Sequence, residues 1–171
     1  TMSRLNRRTF GQVTAGALVA APFAARAQSP AISDDVIRIG LIEDMSGVYA
    51  DITGFGCVTA AQMAIDEVGG TVLGKPVELV HADHQNKPDI AASIARQWFD
   101  ERRVDAILDV ASSSPALAVI EIAKEKGKII TLSSPGSTRI TNENCGPFVT
   151  HWAYDTYAIA QSTAQALVRQ G

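Results

Sequence analysis

Cysteine is almost missing from this sequence, with two residues, Cys57 and Cys145, in a chain of 171. Two thiols so far apart exclude a cysteine-ligated metal cluster and a disulfide-dense scaffold; they permit one bridge and do not require it. A long apolar run is missing too. The best candidate, "VTAGALVAAPFAA" (Val13 to Ala25), is short and rich in Ala, Gly and Thr, whereas a membrane-spanning helix needs about 20 apolar residues. No G-x-G-x-x-G follows the first strand-like run and no G-x-S-x-G elbow occurs, so neither a dinucleotide site nor a hydrolase nucleophile has sequence support. Low-complexity tracts and short repeats are absent as well.

What is present begins with an address. Arg7 and Arg8 precede the weakly apolar run, and "ARA" (Ala25 to Ala27) fits a small-x-small cleavage site before Gln28. Basic, apolar and cleavage regions in that order predict a cleavable export signal of twin-arginine type over 1–27, then a linker over 28–35, and hence a periplasmic protein. Segment 1–27 holds four arginines and no acid, which leaves 11 basic and 18 acidic residues, a net charge of −7, for the remainder. No basic stripe is left to neutralise phosphates, which argues against nucleic acid as a partner.

From Val36 onward, short apolar runs alternate with amphipathic ones. Strands are predicted at Val36–Ile42, Val77–Ala82, Asp105–Val110, Lys128–Leu132 and in "FVTHW" (148–152). A helix is predicted over 56–68, with Val58, Ala61, Ile65 and Val68 on one face. Others start at Lys87-Pro88-Asp89, after Ser114-Pro115 and at Tyr154. Alternating strands and helices predict an α/β, three-layer Rossmann-like lobe with a mostly parallel sheet. One lobe over 36–153 and a further helix over 154–171 follow from that pattern. Ligands of such sheets bind outside the carboxyl ends of the strands.

The segments at those ends are polar. "ASSSPAL" (Ala111 to Leu117) places Ser114 as a helix cap and Pro115 at the first helical position, which leaves Ser112 and Ser113 free to meet an anionic group at the helix N-terminus. "LSSPGST" (Leu132 to Thr138) repeats the theme with Ser134, Pro135, Gly136 and Ser137. Ordinary turn chemistry explains either loop alone; two of them after adjacent strands predict neutral donors for a ligand carboxylate. Ser46 and Tyr49 in the first loop, and Trp152, Tyr154 and Asp155 in the last, complete a pocket with aromatic walls and favour a ligand with a planar part.

His81, Asp83 and His84 invite a metal, but alternation along a strand turns His84 away from the other two, so no metal is predicted; His84 and Gln85 are placed at the pocket rim. A receiver-like domain is the competing reading. It would use Glu43, Asp44 and Asp109 around Mg²⁺, with Asp109 as phosphoacceptor. The lack of a lysine in "FVTHW" and the long spacing from Asp44 to Asp109 oppose it.

Taken in order, "RIGLIEDMSGVYAD", "AIDEVGG…LGKPVELVHAD", "DVASSSPALAV" and "GKIITLSSPGST" resemble the Leu/Ile/Val-binding-protein family, the type I periplasmic substrate-binding proteins of ABC transporters. The resemblance runs from about Arg38 to the C-terminus. It implies a non-enzymatic, cofactor-free receptor, monomeric at full length, that closes two lobes on an amino acid or a related small carboxylate or amide and serves an inner-membrane permease. It also implies that Ser112 or Ser113 meets the carboxylate and that 134–137 form the second contact loop. Tyr49 falls near the first-loop aromatic, and Asp155 where the chain leaves the first lobe. The present chain is then expected to be the first lobe of a longer protein. A ligand-sensing lobe of a receptor would show the same residues.

Overall fold

The aliphatic runs become a sheet and the amphipathic ones its covering helices. The computed structural model describes residues 34–170, so the export signal expected at 1–27, and most of the linker, lie outside the described residues. The order is β1 (Ile37–Glu43), α1 (Gly54–Glu67), β2 (Thr71–Val72), β3 (Lys75–Asp83), α2 (Pro88–Asp100), β4 (Ala106–Val110), α3 (Ser113–Lys126), β5 (Ile129–Leu132), a 3-10 turn (Thr138–Ile140), β6 (Val149–His151) and α4 (Thr156–Gln170). The six strands stand in the order β2-β3-β1-β4-β5-β6. All pairs are parallel except β2 with β3, a two-residue antiparallel edge that the sequence reading did not separate from the turn after α1.

The three-layer arrangement follows from alternation along β1. Ile42 points to the side covered by α2 and α3, where Ala95, Trp98, Val104, Val119, Ile120 and Ile130 form the dry core. Leu41 points to the opposite side, with Ala61 and Ile65 of α1 also buried. Gly40 is required by this packing: a Cβ there would stand 2.4 Å from the Trp98 ring. The expected face of α1 is narrower than its spacing suggests, since Val68 is exposed.

Local signals fix the helix ends. Pro88 occupies the first turn of α2, where its missing N–H costs nothing, and Asp89 follows it. Gly127 ends α3 in the left-handed conformation, its N–H bonded to the carbonyls of Ala123 and Lys124. The start of α3 departs from expectation. The helix begins at Ser113 with Ser112 as its cap residue, and no side chain caps it. Ser114 therefore lies inside the first turn and Pro115 at its third position, still within the span of amides that lack helical acceptors, which is why the proline is tolerated there. Among the described residues no helix is long and apolar enough to cross a membrane. None of the residues of α4 is buried.

Candidate ligand-binding site

The strand order reverses direction between β1 and β4, which flank each other while their crossovers leave to opposite sides. At such a switch point the loops part and leave a crevice. A cavity of about 720 Å³ lies there, lined by Tyr49 and Thr53 after β1, by Ser112, Ser113 and Ser114 after β4, and by Ser134, Pro135 and Gly136 after β5. Cys57, Asp109, Ser133, Tyr154 and Thr156 complete its main surface.

The wall formed by α3 offers donors. Ser112 is held at φ 68°, a region L side chains rarely adopt, so the backbone turns sharply into the helix. The first helical amide with an acceptor is that of Ala116, bonded to the Ser112 carbonyl. The amides of Ser113 and Ser114 therefore stand open at the positive end of α3. The Ser113 hydroxyl oxygen accepts from the Ser137 amide at 3.2 Å, which leaves its own proton to give. Replacing Ser112 by Gly relieves the φ strain and is expected to raise stability by about 1 kcal/mol, measured by urea denaturation, while removing one hydroxyl from the cavity.

The wall formed by the β5 loop has the opposite polarity. Asp109 is only 4% exposed. Its Oδ2 accepts the Ser133 and Ser134 hydroxyls at 2.6 and 2.7 Å. Its Oδ1 accepts the amides of Ser133 at 3.1 Å and Val110 at 2.8 Å. Both serine protons are thus spent on Asp109, and their oxygens face outward as acceptors. This corrects the expectation that both serine loops supply donors to a carboxylate. With both oxygens engaged, Asp109 is also not arranged as a phosphoacceptor, and among the described residues no group of three acidic, histidine or cysteine side chains is placed to hold a metal.

Carboxylates at the other strand ends build the loops in the same way. Asp44 accepts the amides of Gly47 and Tyr49 at 2.7 and 2.9 Å and so shapes the first loop. Asp83 accepts the Met45 and Gln85 amides and the Ser46 hydroxyl, the last at 2.5 Å. Burial pushes the Asp83 carboxyl up, but these three donors and the nearby His84 outweigh it, and it sits below the usual carboxylate range.

The expected site residues divide. Tyr49, Ser112, Ser113, Ser134, Pro135 and Gly136 meet in the cavity. Ser46 does not line it, being tied to Asp83. Ser137 turns its side chain to the 3-10 turn. Trp152 is 78% exposed and bonds Thr150, and Asp155 caps α4 through the Ala158 amide at 2.7 Å. His84 and Gln85 are not at the rim. His84 is buried, its Nδ1 accepting the Asn86 amide, and burial lowers its imidazole below the ordinary histidine range. Gln85 is exposed, in the left-handed region at φ 53°.

Thr53 and Cys57 were not among the expected contacts, whereas Tyr154, expected as an aromatic wall, does line the cavity. The first two follow a long loop and start a helix, a position that only the sheet geometry turns inward. Cys57 and Cys145 are both free. Burial, then the Glu43 and Asp109 carboxyls, push the Cys57 thiol up to about 11, so it lines the cavity as a neutral, weakly polar group.

Comparison with known proteins agrees with this fold. No curated protein matches the chain. A periplasmic binding protein of Burkholderia mallei is 47% identical, with a TM-score of 0.77, over 80% of this chain and 36% of its own. A branched-chain amino acid ABC transporter periplasmic ligand-binding protein of Burkholderia xenovorans is 42% identical, with a TM-score of 0.73, over 79% of this chain and 36% of its own. A solute-binding protein of an ABC transporter from Rhodopseudomonas palustris, in complex with 3,4-dihydroxybenzoic acid, is 26% identical with a TM-score of 0.66, over 71% of this chain and 33% of its own. The chain thus spans about a third of the length of these structures. The sequence signature described as periplasmic binding protein matches residues 36–171, and the chain belongs to that family.

Proposed function

We propose that the cavity at the β1/β4 switch point is one wall of the solute site of an ABC importer's periplasmic binding component. Residues 36–153 form its ligand-binding lobe, following an export signal over 1–27 and a linker over 28–35, and 154–171 begin the remainder. The solute is a small amino acid, carboxylate or amide, passed to a permease in the inner membrane without chemical change. The observation that carries this reading is the opposed polarity of the two walls: open amides and hydroxyls at the start of α3, and acceptor oxygens on the Asp109-bound serines. A molecule with an acceptor at one end and a donor at the other satisfies both walls at once.

The relatives support the chemical class. One is described as a branched-chain amino acid transporter component and another holds 3,4-dihydroxybenzoic acid. Tyr49 and Tyr154 at the cavity give an aromatic ring something to stack on. No enzymatic step is proposed, in keeping with a binding component that passes its solute on unchanged.

Isothermal titration against amino acids, short amides and aromatic carboxylates tests this. A binding solute is expected, and replacing Ser112 and Ser113 together by Ala is expected to weaken it by about 1–3 kcal/mol. A panel in which nothing binds, or a bound solute indifferent to the double replacement, would remove the donor wall from the site.

A further inference from the structure

Of the four carboxyls of Glu43, Asp44, Asp83 and Asp109, at or beside the carboxyl ends of β1, β3 and β4, three have hydrogen-bond donors. Asp44, Asp83 and Asp109 each accept at least two. Glu43, the last residue of β1, is fully buried, and neither of its carboxyl oxygens has a partner among the described residues.

Its position is set by the sheet register. Leu41 of β1 stands beside Asp109 of β4, and Glu43 beside Asp83 of β3. Alternation puts Glu43 on the same side as Leu41 and Asp109, the side covered by α1. The charged and titratable groups around it are Asp109 on β4, Asp44 next in the chain, Asp83 on β3 and Cys57 on α1. His84, after β3, bonds the Glu43 carbonyl through its amide. None of these supplies a fixed positive charge. An ionised carboxylate buried without donors and next to like charges is strongly disfavoured, so the group keeps its proton. Burial, then Asp109, then Asp44 push the Glu43 carboxyl up to about 8.

We propose that Glu43 is a positioning residue of the pocket: a fully buried acid without donors, set beside the Asp44 and Asp109 carboxyls that hold the loops lining the cavity. Asp44 holds the Gly47 and Tyr49 amides, and Asp109 holds Ser133 and Ser134. Ionising Glu43 adds a buried negative charge beside both and loosens both loops together. This deepens the reading of the cavity as a solute site and rests on it for its functional meaning.

The test needs no solute. In the intact chain, carbon NMR of the carboxyl groups is recorded from pH 6 to pH 10, alongside the amide signals of Gly47, Tyr49 and Ser133, in the wild type and in Glu43→Gln. The Glu43 carboxyl is expected to shift in one step near pH 8, the three amides shifting with it. In Glu43→Gln that amide step is expected to vanish, with the pH 6 spectrum of the loops kept. A Glu43 carboxyl with no step between pH 6 and pH 10, amides that stay flat across its step, or the same amide step in Glu43→Gln would each overturn the proposal. Failure to find a bound solute would instead overturn the solute reading and leave this result as it stands.

Discussion

Glu43→Gln is expected to leave the chain about 3–5 kcal/mol more stable than the wild type at pH 8, and close to it in stability below pH 4.5. The direction follows from linkage. The folded-state carboxyl titrates near 8 and the unfolded one near 4.5, so between those values the folded chain carries a proton that the unfolded chain has released. Stability from that proton is fully present below the unfolded value and falls as pH rises, by about 1.4 kcal/mol per pH unit, until the folded group also ionises. Glutamine has the size of the protonated acid and no charge to lose. The difference between variant and wild type, taken from urea denaturation at steps of one pH unit, isolates this residue from every other titrating group. A difference constant across pH would show that Glu43 is ionised in the fold.

Acidification acts on a different residue. Asp83 is held below its ordinary range by Ser46, Met45 and Gln85. Its contribution is present above the unfolded value and lost as pH falls through the folded one, so Asp83 acts on the acid limb of the stability curve and Glu43 on the alkaline one.

Much of the fold was legible because its signals are local. Pro88 and Asp89 mark a helix start, Gly127 a helix end, and the aliphatic runs from Ile37, Ile107 and Ile129 mark buried strands. The two-residue strand β2 escaped because Thr71 and Val72 owe their pairing to β3 and carry no pattern of their own. The cap of α3 was misplaced for a related reason. A proline is favoured at the first helical position, but any amide lacking a helical acceptor tolerates it, and Ser112 in a left-handed backbone lets the helix begin two residues earlier.

The site was legible as a set of loops and less so as a set of contacts. Strand alternation shows which segments reach the carboxyl edge; it does not show which side chains turn into the crevice. Ser46 and Asp155 were sound choices by position, yet each is drawn to a local hydrogen bond, with Asp83 and with the Ala158 amide. The polarity of the serine wall was beyond sequence reading altogether. A serine donates or accepts with equal ease, and only the carboxylate packed behind Ser133 and Ser134 decides which.

That carboxylate carries the second large expected effect. Asp109→Ala removes the acceptor of two hydroxyls and two amides at once. A charged hydrogen bond contributes about 1.5–3 kcal/mol, but Ser133 is exposed and water can replace part of what its groups lose, so the expected loss of stability is about 2–4 kcal/mol. Solute affinity should fall further, by about 100-fold or more, because the loop from Ser133 to Gly136 loses its anchor and each misplaced contact costs independently. Asp109→Asn separates charge from shape. The Val110 and Ser133 amides can only donate and so keep the remaining oxygen, which sets the new NH2 where Oδ2 received both serine hydroxyls, so both serines must turn their protons away from residue 109. Stability is then expected to recover in part, while solute preference moves toward molecules that offer an acceptor on that side. Calorimetry of one zwitterionic and one anionic solute on the wild type and both variants reads this directly. Equal preference in the wild type and Asp109→Asn would mean that the serine oxygens face the solute without contacting it, and the donor wall on α3 would then set selectivity alone.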